Sequence, residues 1–150
     1  MFVGKSWVLT PTGAKQTDIN TMKRIVKITG AIPHVLSPND HDIIVASISH
    51  LPFIIASLLT KTAAENPTWA IARVLAGSGF ADTTRLSGGN PTMHAQILAT
   101  NHVHVLHGLT RFERNLRRLK KNIASQKWRT IEKQLEQIRH TRRQWQEGHV

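Results

Sequence analysis

A proline lies in the middle of the most apolar stretch of this 150-residue chain. No other feature constrains the fold as much. Residues 38–61 read PNDHDIIVASISHLPFIIASLLTK, and Ile43, Ile44, Val45, Ile48, Leu51, Phe53, Ile54, Ile55, Leu58 and Leu59 wrap most of a helical circumference. Pro38-Asn39-Asp40 is a helix-start signal, and Asp40 and Asp42 put negative charge where the helix dipole favours it. A helix apolar nearly all round belongs at the centre of a fold. Pro52 removes a backbone hydrogen bond and presses on the carbonyl of Ile48, which costs about 3 kcal/mol and kinks the helix. The expectation is a kinked central helix with Ser49 and His50 opened at the kink.

The flanks follow from turn and cap signals. Residues 2–10 read as a short strand stopped by Pro11-Thr12-Gly13. A helix opens at Thr17-Asp18, carries Ile19, Met22, Ile25, Val26 and Ile28, and ends at Gly30. Residues 31–36 form a second strand. Two strands and one helix cannot bury both faces of a sheet, so residues 1–37 look like the edge of something larger. Beyond the central helix, residues 67–78 predict a helix, and residues 80–91 a loop of turn residues. Pro91 is suited to the first position of a long helix. Its residues Leu109, Phe112, Leu116, Leu119 and Ile123 alternate spacings of three and four, a heptad-like seam that packs along a partner helix. Ser125-Gln126-Lys127 interrupts it, and Trp128, Ile131, Leu135 and Ile138 continue on a last amphipathic helix. The fold class is therefore mainly α: a domain of about four to five helices over residues 38–150, preceded by a strand-helix-strand segment over residues 1–37.

The formal net charge of +11 concentrates in the last quarter, from Arg111 to Arg143. Such a field attracts nucleic acid or anionic ligands. No nucleic-acid-binding motif accompanies it, and Glu113, Glu132, Glu136 and Glu147 are interspersed, so it reads first as a solvated helix face. Nucleic-acid binding through the last two helices is an alternative, to be recognised by weakening with salt. The chain has no cysteine, which excludes disulfides and thiolate metal sites and fits a reducing, cytoplasmic location. The N-terminus lacks the pattern of a signal peptide, and Ser47, Ser49, His50 and Ser57 break the apolar run enough that no membrane span is read there.

Asp82-Thr83-Thr84-Arg85 is the second chemical element. An arginine on a turn can offer its fork to a carboxylate or phosphate, while Asp82 holds the loop and Thr83 and Thr84 offer hydroxyls. A loop salt bridge is the plainer reading. His104 and His107, one helical turn apart, could share a metal, but no carboxylate joins them at helical spacing, and His102 points elsewhere. No metal site is expected. Gly77-Ser78-Gly79 and Gly88-Gly89 do not form a dinucleotide fingerprint, since neither joins a strand to a helix start.

Three stretches together resemble the C-terminal half of prephenate/arogenate dehydrogenases: Trp7 to Pro11; His41 to Pro52, with Ser49-His50-Leu51-Pro52; and Gly79 to Arg85, followed by Asn90-Pro91 and Asn101. Order and spacing match from about Phe2 to Trp128. Ser87-Gly88-Gly89-Asn90-Pro91 is most similar to the cyanobacterial arogenate-type members. The resemblance implies a helical dimerisation and substrate-side domain, forming a homodimer through the long helices, with residues 1–37 as the last strand-helix-strand of a Rossmann-type cofactor domain. It further implies that Arg85 binds a substrate carboxylate, that Ser49, His50, Phe53 and Thr84 line the same pocket, and that Asp82 and Asn101 support the loop.

Two residues depart from the family pattern. Phe53 stands where members often carry a second histidine, which favours arogenate over prephenate or points to a lost site. His94 stands where many carry a tryptophan. The family reaction is an oxidative decarboxylation with NAD(P), and the domain that binds the cofactor and carries the catalytic histidine is expected to lie outside this chain. The chain alone is then expected to bind no cofactor and to be inactive, whether it is a truncated gene product, an excised domain, or one half of a split enzyme completed by a separate Rossmann-domain chain. A stand-alone module binding arogenate, prephenate or tyrosine is the other reading of a retained Ser49, His50 and Arg85.

Overall fold

The structure is a computed structural model and describes residues 1–148. Two compact units divide it, residues 1–108 and residues 109 onward.

The first unit opens with strand β1 (Ser6–Leu9), helix α1 (Gln16–Ile28) and strand β2 (Ile32–Val35). The strands pair in parallel, Ser6 opposite Ile32 and Leu9 opposite Val35, as expected when a helix supplies the crossover. Gly30 ends the connection after α1 with φ +81°, a conformation that side chains avoid, and a Cβ there would meet Val3 Cγ2 at 2.9 Å. Val26 and Ala31 are buried between helix and strands, whereas Trp7, Val8, Ile32 and Val35 stay exposed. A two-stranded sheet has no inner strand, and both of its edges are open.

The central helix runs from Pro38 to Ala64 in three pieces: α2 (Pro38–Val45), a π-helical turn (Ala46–His50) and α3 (Leu51–Ala64). Ser37 caps it, its Oγ accepting from the Asp40 amide at 3.0 Å and donating to the Asp40 carboxylate at 2.7 Å. The expected proline kink takes a definite form. Pro52 has no N–H, and the turn before it widens so that the Leu51 N–H reaches the carbonyl of Ala46, five residues back. Ser49 and His50 ride on that wide turn. Ala46, Phe53, Ala56 and Val105 form the small core beneath it.

Two expectations are corrected downstream. Residues 80–91 are not a loop: after α4 (Trp69–Leu75), α5 (Ser78–Thr84) and a 3-10 turn (Arg85–Gly88) carry that stretch and pack on α3. The Thr83 and Thr84 hydroxyls donate to the carbonyls of Gly79 and Phe80 at 2.7 and 2.6 Å, which steadies a helix of weak formers from within. The helix begun by Pro91 is also not single. It divides at Asn101 into α6 (Pro91–Thr100) and α7 (His102–Ala124), because the Asn101 side chain is drawn onto the central helix. Asn90 caps α6, accepting from the Met93 amide at 3.1 Å.

In the second unit, the later part of α7 and α8 (Trp128–Glu147) lie together across a turn at Gln126, which takes φ 51°. Phe112, Leu116, Leu119, Ile131, Leu135 and Ile138 line a groove of about 480 Å³ between them. The heptad-like seam therefore has an apolar face that remains half exposed, Leu116 at 53% and Ile138 at 63%.

The exposed surface is larger than that of a compact monomer, and many large apolar side chains contribute to it. The chain presents 11984 Å² to solvent, whereas a globular monomer of this mass presents about 7,600 Å². Ile48, at 70% exposure, and Leu58 stand in solvent on the central helix. By length and composition alone that helix is long and apolar enough to cross a membrane, with only 17% of its most apolar window buried. Apolar side chains exposed in this number are typical of interaction faces.

Candidate functional site

The polar groups of the wide turn meet the start of α7. Asn101, only 6% exposed, donates from Nδ2 to the carbonyl of Asp42 at 2.8 Å, and the same nitrogen lies 3.2 Å from His50 Nδ1. The asparagine thus ties α2, the π turn and α7 to one point. Its Oδ1 is buried without a hydrogen-bond partner among the described residues. His41 Nδ1 sits 2.9 Å from the Asp42 carboxylate at the edge of this cluster. The pKa of His50 is held below its ordinary 6.5: partial burial disfavours the imidazolium, Asp42 pulls the other way, and His41 adds to the lowering.

This shift has a sign that stability can report. A histidine with a depressed folded pKa binds fewer protons folded than unfolded, so its contribution is intact above pH 6.5 and is lost as pH falls below it toward the folded value. Denaturant midpoints should therefore decline on acidification below pH 6.5, and His50→Gln should flatten that part of the profile. An unchanged profile in the variant contradicts the assignment to His50.

Phe53, one turn along α3, is buried and stacks on His94 of α6, ring centroids 4.1 Å apart and planes 8° from parallel. His50 lies 6.3 Å from the same phenyl ring. Gly89 makes the stack possible: a Cβ there would fall 2.5 Å from His94 Cε1. Its backbone is ordinary (φ −70°, ψ 171°), so the demand for glycine is spatial. Gly89→Ala should displace His94 and cost about 1–3 kcal/mol, as overpacking does. Urea titration checks this, and Gly89→Ala combined with His94→Ala should recover most of the loss.

The other expected site residues divide. Ser49 and Arg85 are exposed, and neither side chain makes a hydrogen bond or ion pair among the described residues. Arg85 opens the 3-10 turn, which the Ser87 hydroxyl ties to Thr60 of α3 at 3.0 Å. Thr84 is buried, its hydroxyl proton committed to Phe80, so it serves packing. Asp82 is exposed and accepts no backbone amide among the described residues, and Asn101 supports the wide turn instead of the Asp82–Arg85 segment. His94 was noted in the sequence only as a departure from a pattern. The steric need for Gly89 is the signal that ties it to the site. His104 and His107 lie 6.4 Å apart, and among the described residues no three His, Asp or Glu gather to hold a metal.

Comparison with known proteins decides the family. Residues 37–137 match the model of the prephenate dehydrogenase dimerization domain. The chain belongs to that family. Prephenate dehydrogenase of Bacillus subtilis (strain 168) is 31% identical over 125 residues, covering 81% of this chain and 32% of the relative. The crystal structure of Synechocystis arogenate dehydrogenase superposes with a TM-score of 0.88 at 30% identity, over 96% of this chain and 53% of that one. That of A. aeolicus prephenate dehydrogenase, in complex with hydroxyphenyl propionate and NAD+, gives 0.85 at 28%, over 93% and 50%. The chain spans about a third of the length of the curated relatives it matches.

The turn from β1 to α1 holds a single glycine, Gly13, and the depression beside it, of about 170 Å³, is lined by Leu9, Pro11, Ile19 and Met22 among others.

Proposed function

We propose that the chain forms the dimerising, substrate-side part of an NAD(P)-dependent prephenate or arogenate dehydrogenase, soluble and cytoplasmic, acting in tyrosine biosynthesis. The observation that carries this reading is the family match over residues 37–137, which embraces the Ser49-His50 turn, the Phe53–His94 stack and Arg85. Residues 38–150 would be the helical domain, and residues 1–37 the end of a cofactor-binding domain whose remaining strands pair with the open sheet. NAD(P) would be held by that other domain. The uncovered apolar faces of the central helix and of α7–α8 support a homodimer through the long helices.

The chemistry asked of this part is positioning. Arg85 carries an uncommitted guanidinium fork suited to a carboxylate. Ser49 and His50 offer neutral hydrogen bonds to ring oxygens, and the Phe53–His94 stack supplies a flat apolar wall. Phe53 in place of a second histidine supports arogenate as the substrate over prephenate.

Calorimetric titration of the full chain with arogenate, prephenate and tyrosine tests the reading. Arg85→Ala should weaken binding about 10- to 100-fold, since a hydrogen bond to a charged group contributes about 1.5–3 kcal/mol. Affinity unchanged in Arg85→Ala removes Arg85 from the site. Absence of binding to all three ligands refutes a pocket formed by this chain alone.

A further inference from the structure

We infer that Asn101 fixes His50 as the neutral tautomer protonated on Nε2, so that His50 faces the ligand as an uncharged hydrogen-bond donor. The inference rests on the proposal that His50 lines the substrate pocket, and makes Asn101 a positioning residue for it.

The geometry leaves little choice of proton placement. The carbonyl of Asp42 can only accept, so the Asn101 atom 2.8 Å from it must be the amide nitrogen, whichever way the amide is first drawn. That nitrogen also lies 3.2 Å from His50 Nδ1. An amide nitrogen donates two protons and accepts none, so one serves Asp42 and the other serves Nδ1. Nδ1 must then present its lone pair, and the single proton of the neutral ring sits on Nε2. Turning the amide over would set Oδ1 against the Asp42 carbonyl, two acceptors face to face. The amide instead leaves Oδ1 buried and, among the described residues, unpaired, so the two donor contacts govern its orientation.

Protonation of His50 would set Nδ1–H against an N–H donor and break the contact. Around the ring stand Asp42 and His41 on α2, themselves paired, neutral Asn101 at the junction of α6 and α7, and the Phe53 ring on α3 with His94 stacked behind it. Among the described residues no protein acceptor takes the Nε2 proton. A site built this way gains a hydrogen-bond donor without gaining a cation.

Long-range 1H–15N correlation spectra of the uniformly labelled full chain, without ligand, test this directly. His50→Gln identifies the resonances. The expected pattern is a pyridine-like Nδ1 and a pyrrole-like Nε2 above pH 6.5, with a tautomer ratio of about ten to one or more, the tenfold that about 1.4 kcal/mol sets. Asn101→Asp replaces the donor by an acceptor and should move the proton to Nδ1 and raise the His50 titration midpoint; a purely structural asparagine would not invert the pattern. An Nδ1–H tautomer or an even mixture in the unmodified chain overturns the inference, even if Asn101→Asp fails to fold. The same samples titrated with arogenate separate the two claims. A fixed Nε2–H tautomer with no ligand binding sinks the pocket alone, and an averaged tautomer with Arg85-dependent binding sinks the lock alone.

Discussion

Ile48→Asp is expected to turn a dimer into monomers without unfolding the chain. Ile48 is 70% exposed in the single chain, on the outer side of the wide turn, so the substitution removes little intrachain packing. In a dimer sealed by the central helices it would be covered. The variant then forfeits the burial of an aliphatic side chain, about 1.5–3 kcal/mol, and forces a carboxylate into an apolar seam at several kcal/mol more. Together these weaken association by more than about a hundredfold. Leu116→Asp, on the separate apolar face of α7, should act in the same direction. Size-exclusion chromatography with light scattering reads the outcome, and helicity by circular dichroism checks the fold. A dimer that survives both substitutions places the interface elsewhere.

The second large effect falls on Phe53. Its ring is the largest side chain in the small core beneath the wide turn, and His94 lies flat against it. Phe53→Ala should cost about 3–5 kcal/mol, the loss of apolar burial plus the cavity left behind. That is a large share of the stability of a domain of this size. Phe53→Leu should recover much of it while still losing the ring stack, so comparison of the two in urea separates volume from stacking. Equal stability of Phe53→Ala and the unmodified chain would show that the surroundings collapse into the space, or that the stack is not formed.

What could be read in advance follows a physical division. The strand-helix-strand opening was legible because Pro11-Thr12-Gly13 and Gly30 punctuate it locally, and the central helix because its apolar residues leave no polar face. Pro52 announced a distortion but not its form. Whether a helix kinks or widens depends on which upstream carbonyl the next N–H can reach. The 78–84 helix was missed because Gly79, Asp82, Thr83 and Thr84 are weak helix formers, and packing on α3 overrides that preference. The division of the Pro91 helix at Asn101 was illegible for a related reason. Its cause is a bond to Asp42 and His50, the latter 51 residues away.

The site shows the same limit. Motif resemblance singles out Ser49, His50 and Arg85 as candidates, whereas Phe53 and His94 read as two unrelated departures, and only the fold stacks them on each other. Asn101 was assigned to the wrong neighbour, because a buried asparagine at a helix junction carries no local sign of which chain it serves. Thr84 looked like a spare hydroxyl until the segment around it proved helical and claimed the proton.

Sedimentation equilibrium of the purified chain at micromolar concentration tests the central claim most directly. The account predicts a species of twice 16.8 kDa, with Ile48→Asp shifted toward the single-chain mass. A chain that sediments at 16.8 kDa, folded and soluble across that range, would contradict the dimer and leave its apolar faces without an explanation.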